Sequence, residues 1–272
     1  MGFLGFGNYA KPGRGVSKDE PKKKSFFLFF ELYFRKFWKL IEVNMLYFVL
    51  CIPFFIPFIL VNTYFPNPVL YYISMIPFIG IAVVTSGFTY VLRNFAREMP
   101  VFIWADFIDT MKKNWKQSLI IGTIDFVAFF IISFSLNFYY QQISTNNIFS
   151  IPFVLSILFT VIFVFMQYYI FPMLITFYLN IRQILKNAFI FAFAGLGYNI
   201  VITFFCGLLA LVVYLFSPLT LFLIPFLILS TFGFIIVFNS WHVIDKYMMP
   251  KDEDSDNEDD EDIIFKDRGR ER

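Results

Sequence analysis

Three long stretches of this chain are nearly free of formal charge, and no other feature limits its possible folds as sharply. Val43–Leu92 and Asn187–Ile244 contain no Asp, Glu, Lys or Arg, and Gln117–Ile181 contains only Asp125. A helix rises about 1.5 Å per residue, so roughly 20 apolar residues cross a hydrocarbon core of about 30 Å. Each stretch is long enough for two crossings. Composition agrees: 58% of residues are hydrophobic and 15% charged, with mean hydropathy +0.68, whereas a soluble domain carries about 25% charged residues. This balance argues against a soluble enzyme.

Near its middle each stretch holds a polar or helix-breaking segment: Asn62 to Pro68, Gln141 to Asn147, and Ser217-Pro218. The expected fold is therefore all-α and integral to a membrane, with six transmembrane helices arranged as three hairpins. The spans fall at about 43–61, 69–91, 118–140, 151–173, 199–216 and 219–240. Basic residues orient them: nine precede Glu42, five lie in Arg93–Lys116, two in Arg182–Lys186 and six follow His242. By the positive-inside rule both termini and both charged loops are cytoplasmic. The first apolar run long enough to insert follows Lys22-Lys23-Lys24 and enters a hairpin, so no cleaved signal peptide is expected. Residues 1–24 form a basic cytoplasmic segment, 25–250 the six-helix domain and 251–272 an acidic tail. That tail, with nine acids in Asp252–Asp262, is too charged to bury a core and is expected to be disordered.

A local pattern precedes each hairpin: Arg35-Lys36-Phe37-Trp38-Lys39, Lys112-Lys113-Asn114-Trp115-Lys116 and Arg182-Gln183-Ile184-Leu185-Lys186. The outer basic residues stand at i and i+4, on one helical face. Arg35, Trp38, Lys39, Lys112, Trp115, Lys116, Arg182 and Lys186 are thus candidate interfacial anchors, and each hairpin is expected to follow a cytoplasmic amphipathic helix. Convergent anchoring and true internal repetition both account for the pattern. For the first copy the expectation is one helix over Ser25–Glu42, with Glu31, Arg35, Lys39 and Glu42 along a stripe.

Asp125 is the only formal charge inside an expected span, where a carboxylate costs roughly 2.5–3.5 kcal/mol on insertion scales. It is the leading candidate for an intramembrane polar site together with Asn44, Gln167 and Asn199 as possible hydrogen-bonding partners, and Asn239 is a further possible partner. Ile-Pro-Phe recurs five times, at Pro53, Pro57, Pro77, Pro152 and Pro225, and each proline removes a backbone donor. Cys51 and Cys206 lie in apolar runs without metal-ligand spacing, and His242 has no second histidine or cysteine near it. Neither a metal nor a cofactor is expected, no catalytic constellation is visible, and nothing points to nucleic acid.

The stretch Tyr9 to Pro53, with Gly13-Arg14-Gly15-Val16-Ser17-Lys18, Phe27-Leu28-Phe29-Phe30-Glu31 and Arg35 through Asn44, resembles the YesL family of bacterial membrane proteins of unknown function. Asn114-Trp115-Lys116-Gln117 is similar to that family's second marker. The resemblance implies a bacterial cytoplasmic-membrane protein. Because members are commonly encoded beside carbohydrate ABC importers, it also implies a part in sugar uptake. Three readings follow: a non-enzymatic accessory protein of such an importer, a self-sufficient sugar or small-solute carrier or channel around Asp125, and a membrane enzyme acting on lipid. The first is the expectation, with Pro100–Lys116 as a docking segment and the oligomeric state open.

Overall fold

The computed structural model describes residues 25–65 and 67–249. The expectations for the basic segment 1–24 and the acidic tail 251–272 concern residues outside that range. The described residues are helical throughout, without strands, and include six helices long and apolar enough to cross a membrane.

Helix α1, Ser25–Arg35, runs into α2, Phe37–Tyr64, at a kink on Lys36. Backbone bonds continue through the kink, from Lys36 N to Leu32 O and from Leu40 N to Lys36 O at 2.9 Å each. The helix expected over Ser25–Glu42 is therefore divided, and Lys39 and Glu42 belong to α2. Arg35, the last residue of α1, turns aside to pair with Glu98. At 28 residues α2 is about 42 Å long, and it carries Pro53 and Pro57 in its interior.

The second crossing is broken. Asn67 caps α3, Pro68–Ile73, by accepting from the amides of Val69 and Leu70; a 3₁₀ turn at Ile76–Gly80 then leads into α4, Ile81–Ala96. The end of α4 is closed by bonds from Glu98 N to Phe95 O and from Met99 N to Asn94 O. This is a Schellman-type stop, in which the left-handed position usually falls to glycine. Here Glu98 occupies it, with φ 56°.

Helix α5, Ile103–Ile143, is continuous over 41 residues, about 62 Å. No separate amphipathic helix precedes this span: Pro100–Lys116 runs straight into it, because nothing between Trp115 and Ile121 interrupts a helix. Thr110, Asn114, Ser118 and Gly122 recur every four residues along α5 and are all buried. This narrow stripe lets α5 lie close against α4. A Cβ on Gly122 would sit 2.6 Å from Ile79 O, and one on Gly87 would sit 2.6 Å from Phe107 O.

A 3₁₀ turn at Asn147–Phe149 opens α6, Ser150–Thr176. Helix α7, Ile181–Ala194, starts with a capping box between Asn180 and Gln183 and stops at Gly195. Then come α8, Leu196–Leu215, a 3₁₀ turn at Thr220–Leu223, a π-helical turn at Ile224–Ile228, and α9, Leu229–Met248. Pro77, Pro152 and Pro225 follow Lys39, Lys116 and Lys186 by 38, 36 and 39 residues. They fall in the 3₁₀ turn, the first turn of α6 and the π-helical turn, so the second long helix after each basic motif begins irregularly near an Ile-Pro-Phe.

Two apolar cores share α9. One joins α1, α2, α4 and α5 through Leu40, Phe88, Leu92 and Phe107 to Phe234 and Phe238; the other joins α6, α7 and α8 through Tyr169, Met173, Ile184 and Ile202 to Val243 and Ile244. Both cores lie toward the end of the molecule where the charged residues gather. Arg35 with Glu98, Arg97 stacked on Trp241 at 4.6 Å, and Ser25 bonded to His242 at 3.1 Å mark that end. Buried residues stop at Cys51 in α2, Gly122 in α5 and Ile202 in α8, and begin only at Phe165 in α6 and Ser230 in α9. Toward the opposite end the packing thins out.

Candidate functional site

The four intramembrane polar candidates resolve into one pair and two backbone splints. Gln167 Nε2 of α6 donates to Asp125 Oδ1 of α5 at 2.8 Å. Gln167, but not Asp125, lines a cavity of about 210 Å³, to which Tyr47, Thr85 and Thr89 also contribute polar groups between apolar walls.

Asn44 is elsewhere and fully buried. Its Nδ2 donates to Ile224 O at 2.8 Å and its Oδ1 accepts from Ser230 N at 2.6 Å. A π-helical turn disturbs the regular i to i−4 ladder, and this one amide satisfies a carbonyl and an N–H on either side of the disturbance. Asn199 does similar work where α7 stops. Its Nδ2 donates to Ala192 O at 2.9 Å and Phe191 O at 3.2 Å, while its Oδ1 accepts from the Tyr169 hydroxyl at 2.6 Å. Both asparagines have their polar atoms committed to structure.

Arg93, read in the sequence only as a basic loop residue, is fully buried. Its Nη1 donates to Thr176 Oγ1 at 2.9 Å, its Nε and Nη2 donate to Asn94 Oδ1 at 3.2 and 3.0 Å, and its guanidinium stacks on Tyr90 at 4.7 Å. Thr176 in turn donates to Pro172 O at 2.6 Å, so the end of α4 is fastened to the end of α6. The available signal was helical phase: Ser86, Thr89 and Arg93 stand at i, i+3 and i+7, on one stripe, and all are buried.

Beside this knot lies a polar recess of about 630 Å³. Lys113, Lys116, Trp115 and Gln117 of α5 line it, facing Tyr90 of α4 and Tyr178 beyond α6, with the buried Asn114 and Thr110 also in its wall. Gln117 Nε2 donates to Leu179 O at 3.2 Å and holds the rim, and Lys116 Nζ stands 5.6 Å from the Trp115 ring centre. Trp115 and Lys116, expected as anchors, thus border a cavity. Of the other expected anchors, Trp38 is 79% exposed, Lys39 lies in the first turn of α2, Lys112 is exposed on α5, and Arg182 and Lys186 lie in the first two turns of α7.

An apolar groove of about 510 Å³ separates α1 from α8, with Phe29, Phe30 and Phe34 on one side and Val201, Phe205 and Leu208 on the other. Helix α1 is held over it by two polar contacts. Thr231 Oγ1 donates to Leu227 O, so the Tyr33 hydroxyl donates to Thr231 at 2.9 Å. His242 Nδ1 faces Phe238 O at 2.9 Å and must donate there, which leaves Nε2 to accept from Ser25. Burial pushes the Tyr33 phenol above its ordinary value, partly offset by its bond to Thr231. Among the described residues no cluster of His, Cys, Asp and Glu is arranged to hold a metal ion.

Residues 40–136 match the family described as "Protein of unknown function, DUF624". The match runs from the first turn of α2 through α4 and most of α5, and so takes in Asp125 and the α5 side of the polar recess. No curated protein and no solved structure matches the chain.

Proposed function

We propose that this is a non-enzymatic protein of the bacterial cytoplasmic membrane that works as an accessory component of carbohydrate uptake by an ABC-type importer. The six spans cross as three hairpins, with both termini and the charged end cytoplasmic. The sugar-uptake context rests on the resemblance carried by Tyr9–Pro53 and Asn114-Trp115-Lys116-Gln117. The observation that favours an accessory role is the concentration of burial in the charge-rich half. A carrier needs a walled polar route with a site along it, and small-ligand sites usually enclose about 300–1,000 Å³. Here the cavity beside Gln167, among the spans, is about 210 Å³, the larger polar recess lies at the charge-rich end, and past Gly122 and before Phe165 no residue of α5 or α6 is buried. Those outer halves present Phe134 and Phe159, 71% and 65% exposed, to lipid or to the spans of another protein.

The test is affinity purification in mild detergent from cells grown on plant polysaccharide, after photo-crosslinking from a reactive residue placed at Phe134 or Phe159. An importer permease or its ATPase is expected at stoichiometric yield. A protein that purifies alone, from cells whose sugar uptake survives deletion of its gene, overturns the reading.

The second reading, a self-sufficient sugar or small-solute carrier or channel, is favoured by the Gln167–Asp125 pair, whose Gln167 lines the central cavity. It requires substrate flux into liposomes holding this protein alone, and a large loss of that flux in Asp125→Asn.

A further inference from the structure

We infer that the recess between α4, α5 and the end of α6 is a binding site for an organophosphate, a phosphate ester carried on a small polar body. Its lining contains two ammonium groups, Lys113 and Lys116, and no carboxylate. An anion is therefore the ligand that its charge selects, and lysine binds phosphate as a compact point charge with three donors. Tyr90 is itself stacked against the Arg93 guanidinium, 4.7 Å from the ring.

Size and wall chemistry exclude a bare inorganic ion as the full occupant. About 630 Å³ lies within the range of sites for small organic ligands. Three aromatic side chains, Tyr90, Trp115 and Tyr178, offer faces and polar edges to a hydroxylated or partly apolar body. The site is built rather than incidental: Asn114, 5% exposed, is held by its own bond to Thr110 O at 3.0 Å and supplies an amide to the wall. Basic pockets between membrane helices on the cytoplasmic side accept phosphorylated headgroups, and a soluble sugar phosphate presents the same chemistry. The inference does not depend on partnership with an importer.

The experiment uses the full chain in nanodiscs. In discs of phosphatidylcholine alone, glucose 6-phosphate and glucose are titrated by calorimetry. In discs of equal phosphatidylglycerol and phosphatidylcholine, the lipids retained after detergent extraction are read by native mass spectrometry. Glucose 6-phosphate bound in preference to glucose assigns a soluble organophosphate. Selective retention of phosphatidylglycerol, without glucose 6-phosphate binding, assigns a lipid headgroup. In either case the double variant Lys113→Gln with Lys116→Gln is expected to weaken the interaction at least about tenfold. Lys246→Gln, an exposed cation on α9 outside the recess, should change it less than about twofold. Both recess lysines are exposed, so the double variant should fold, and the selectivity of the unaltered protein decides the matter without it. Equal binding of glucose and glucose 6-phosphate overturns the inference, as does absence of preference for either phosphorylated probe, or a Lys246→Gln effect as large as that of the double variant.

Discussion

Replacing Gly122 by alanine tests whether α4 and α5 touch at the level of the backbone. The added Cβ would lie 2.6 Å from the Ile79 carbonyl oxygen and 2.7 Å from Ala82 Cβ. Neither neighbour can rotate away, so the helices must part by several tenths of an ångström. Overpacking of this kind costs about 1–3 kcal/mol, offset by the gain of about 0.8–1 kcal/mol that alanine has over glycine inside a helix. The net expectation is a loss of about 1 kcal/mol, or a thermal midpoint lower by about 2–4 °C for a chain of this size. Gly207 provides the comparison, since a Cβ there meets nothing within 4 Å. Gly207→Ala keeps only the propensity gain and should raise the midpoint by about 2–4 °C. Thermal unfolding of the two purified variants in one detergent, followed by tryptophan fluorescence, should separate them by roughly 4–8 °C. If Gly122→Ala proves as stable as Gly207→Ala, the close approach of α5 to the 3₁₀ turn at Ile76–Gly80 is wrong.

Glu98 holds a left-handed conformation that costs a non-glycine residue about 1–2 kcal/mol, whereas its exposed pair with Arg35 contributes about 0–1 kcal/mol. Glu98→Gly is therefore expected to be neutral to about 2 kcal/mol stabilising, and Glu98→Ala destabilising by up to about 1 kcal/mol; a glycine variant no more stable than the alanine variant refutes this. Arg93→Met removes charge-assisted bonds to Thr176 and Asn94 and should cost about 2–4 kcal/mol, and a melting midpoint within 2 °C or so of the parent would show that the guanidinium does not fasten α4 to α6. Asn44→Leu strands Ile224 O and Ser230 N and should cost about 2–4 kcal/mol, with faster amide exchange at the start of α9 as its local signature. Unchanged exchange there would show that the π-helical turn holds without the amide.

The six crossings are legible in the sequence because lipid leaves a helix no alternative: a long run without charge must satisfy its backbone internally. Observed helices extend past the expected spans, α2 starting at Phe37 rather than near 43, since residues such as Trp38 and Lys39 continue a helix beyond its apolar run without interrupting it. The kink at Lys36 was not legible, because nothing in Arg35-Lys36-Phe37 breaks a helix, and the Arg35 contact beside it is made with Glu98, 63 residues away. The polar candidates were legible as residues but not in their roles. Asp125 and Gln167 meet across 42 residues, whereas Asn44 turns out to serve a backbone disturbance 180 residues downstream. Lys113 was passed over and Lys116 read as an anchor, since only the return of the chain through Tyr178 makes their surroundings a cavity. Arg93 shows the same limit: a cation just past a span reads as an orientation signal unless its helical phase is followed.

The division of the interior into two cores that meet on α9 has a consequence for biogenesis. Five spans leave the ribosome and enter the bilayer before α9 is made, and until then neither Phe88 and Phe107 nor Tyr169 and Ile184 have Phe234 or Val243 to close against. Insertion can therefore precede completion of the core: α4 packs on α5 and α6 on α7 without it, but both clusters still lack the helix they share. The last span then completes both halves at once. A ribosome stalled before Leu229 should leave a protein that is fully inserted yet open to protease along its charge-rich end. Release of the remaining residues should close that end in a single step.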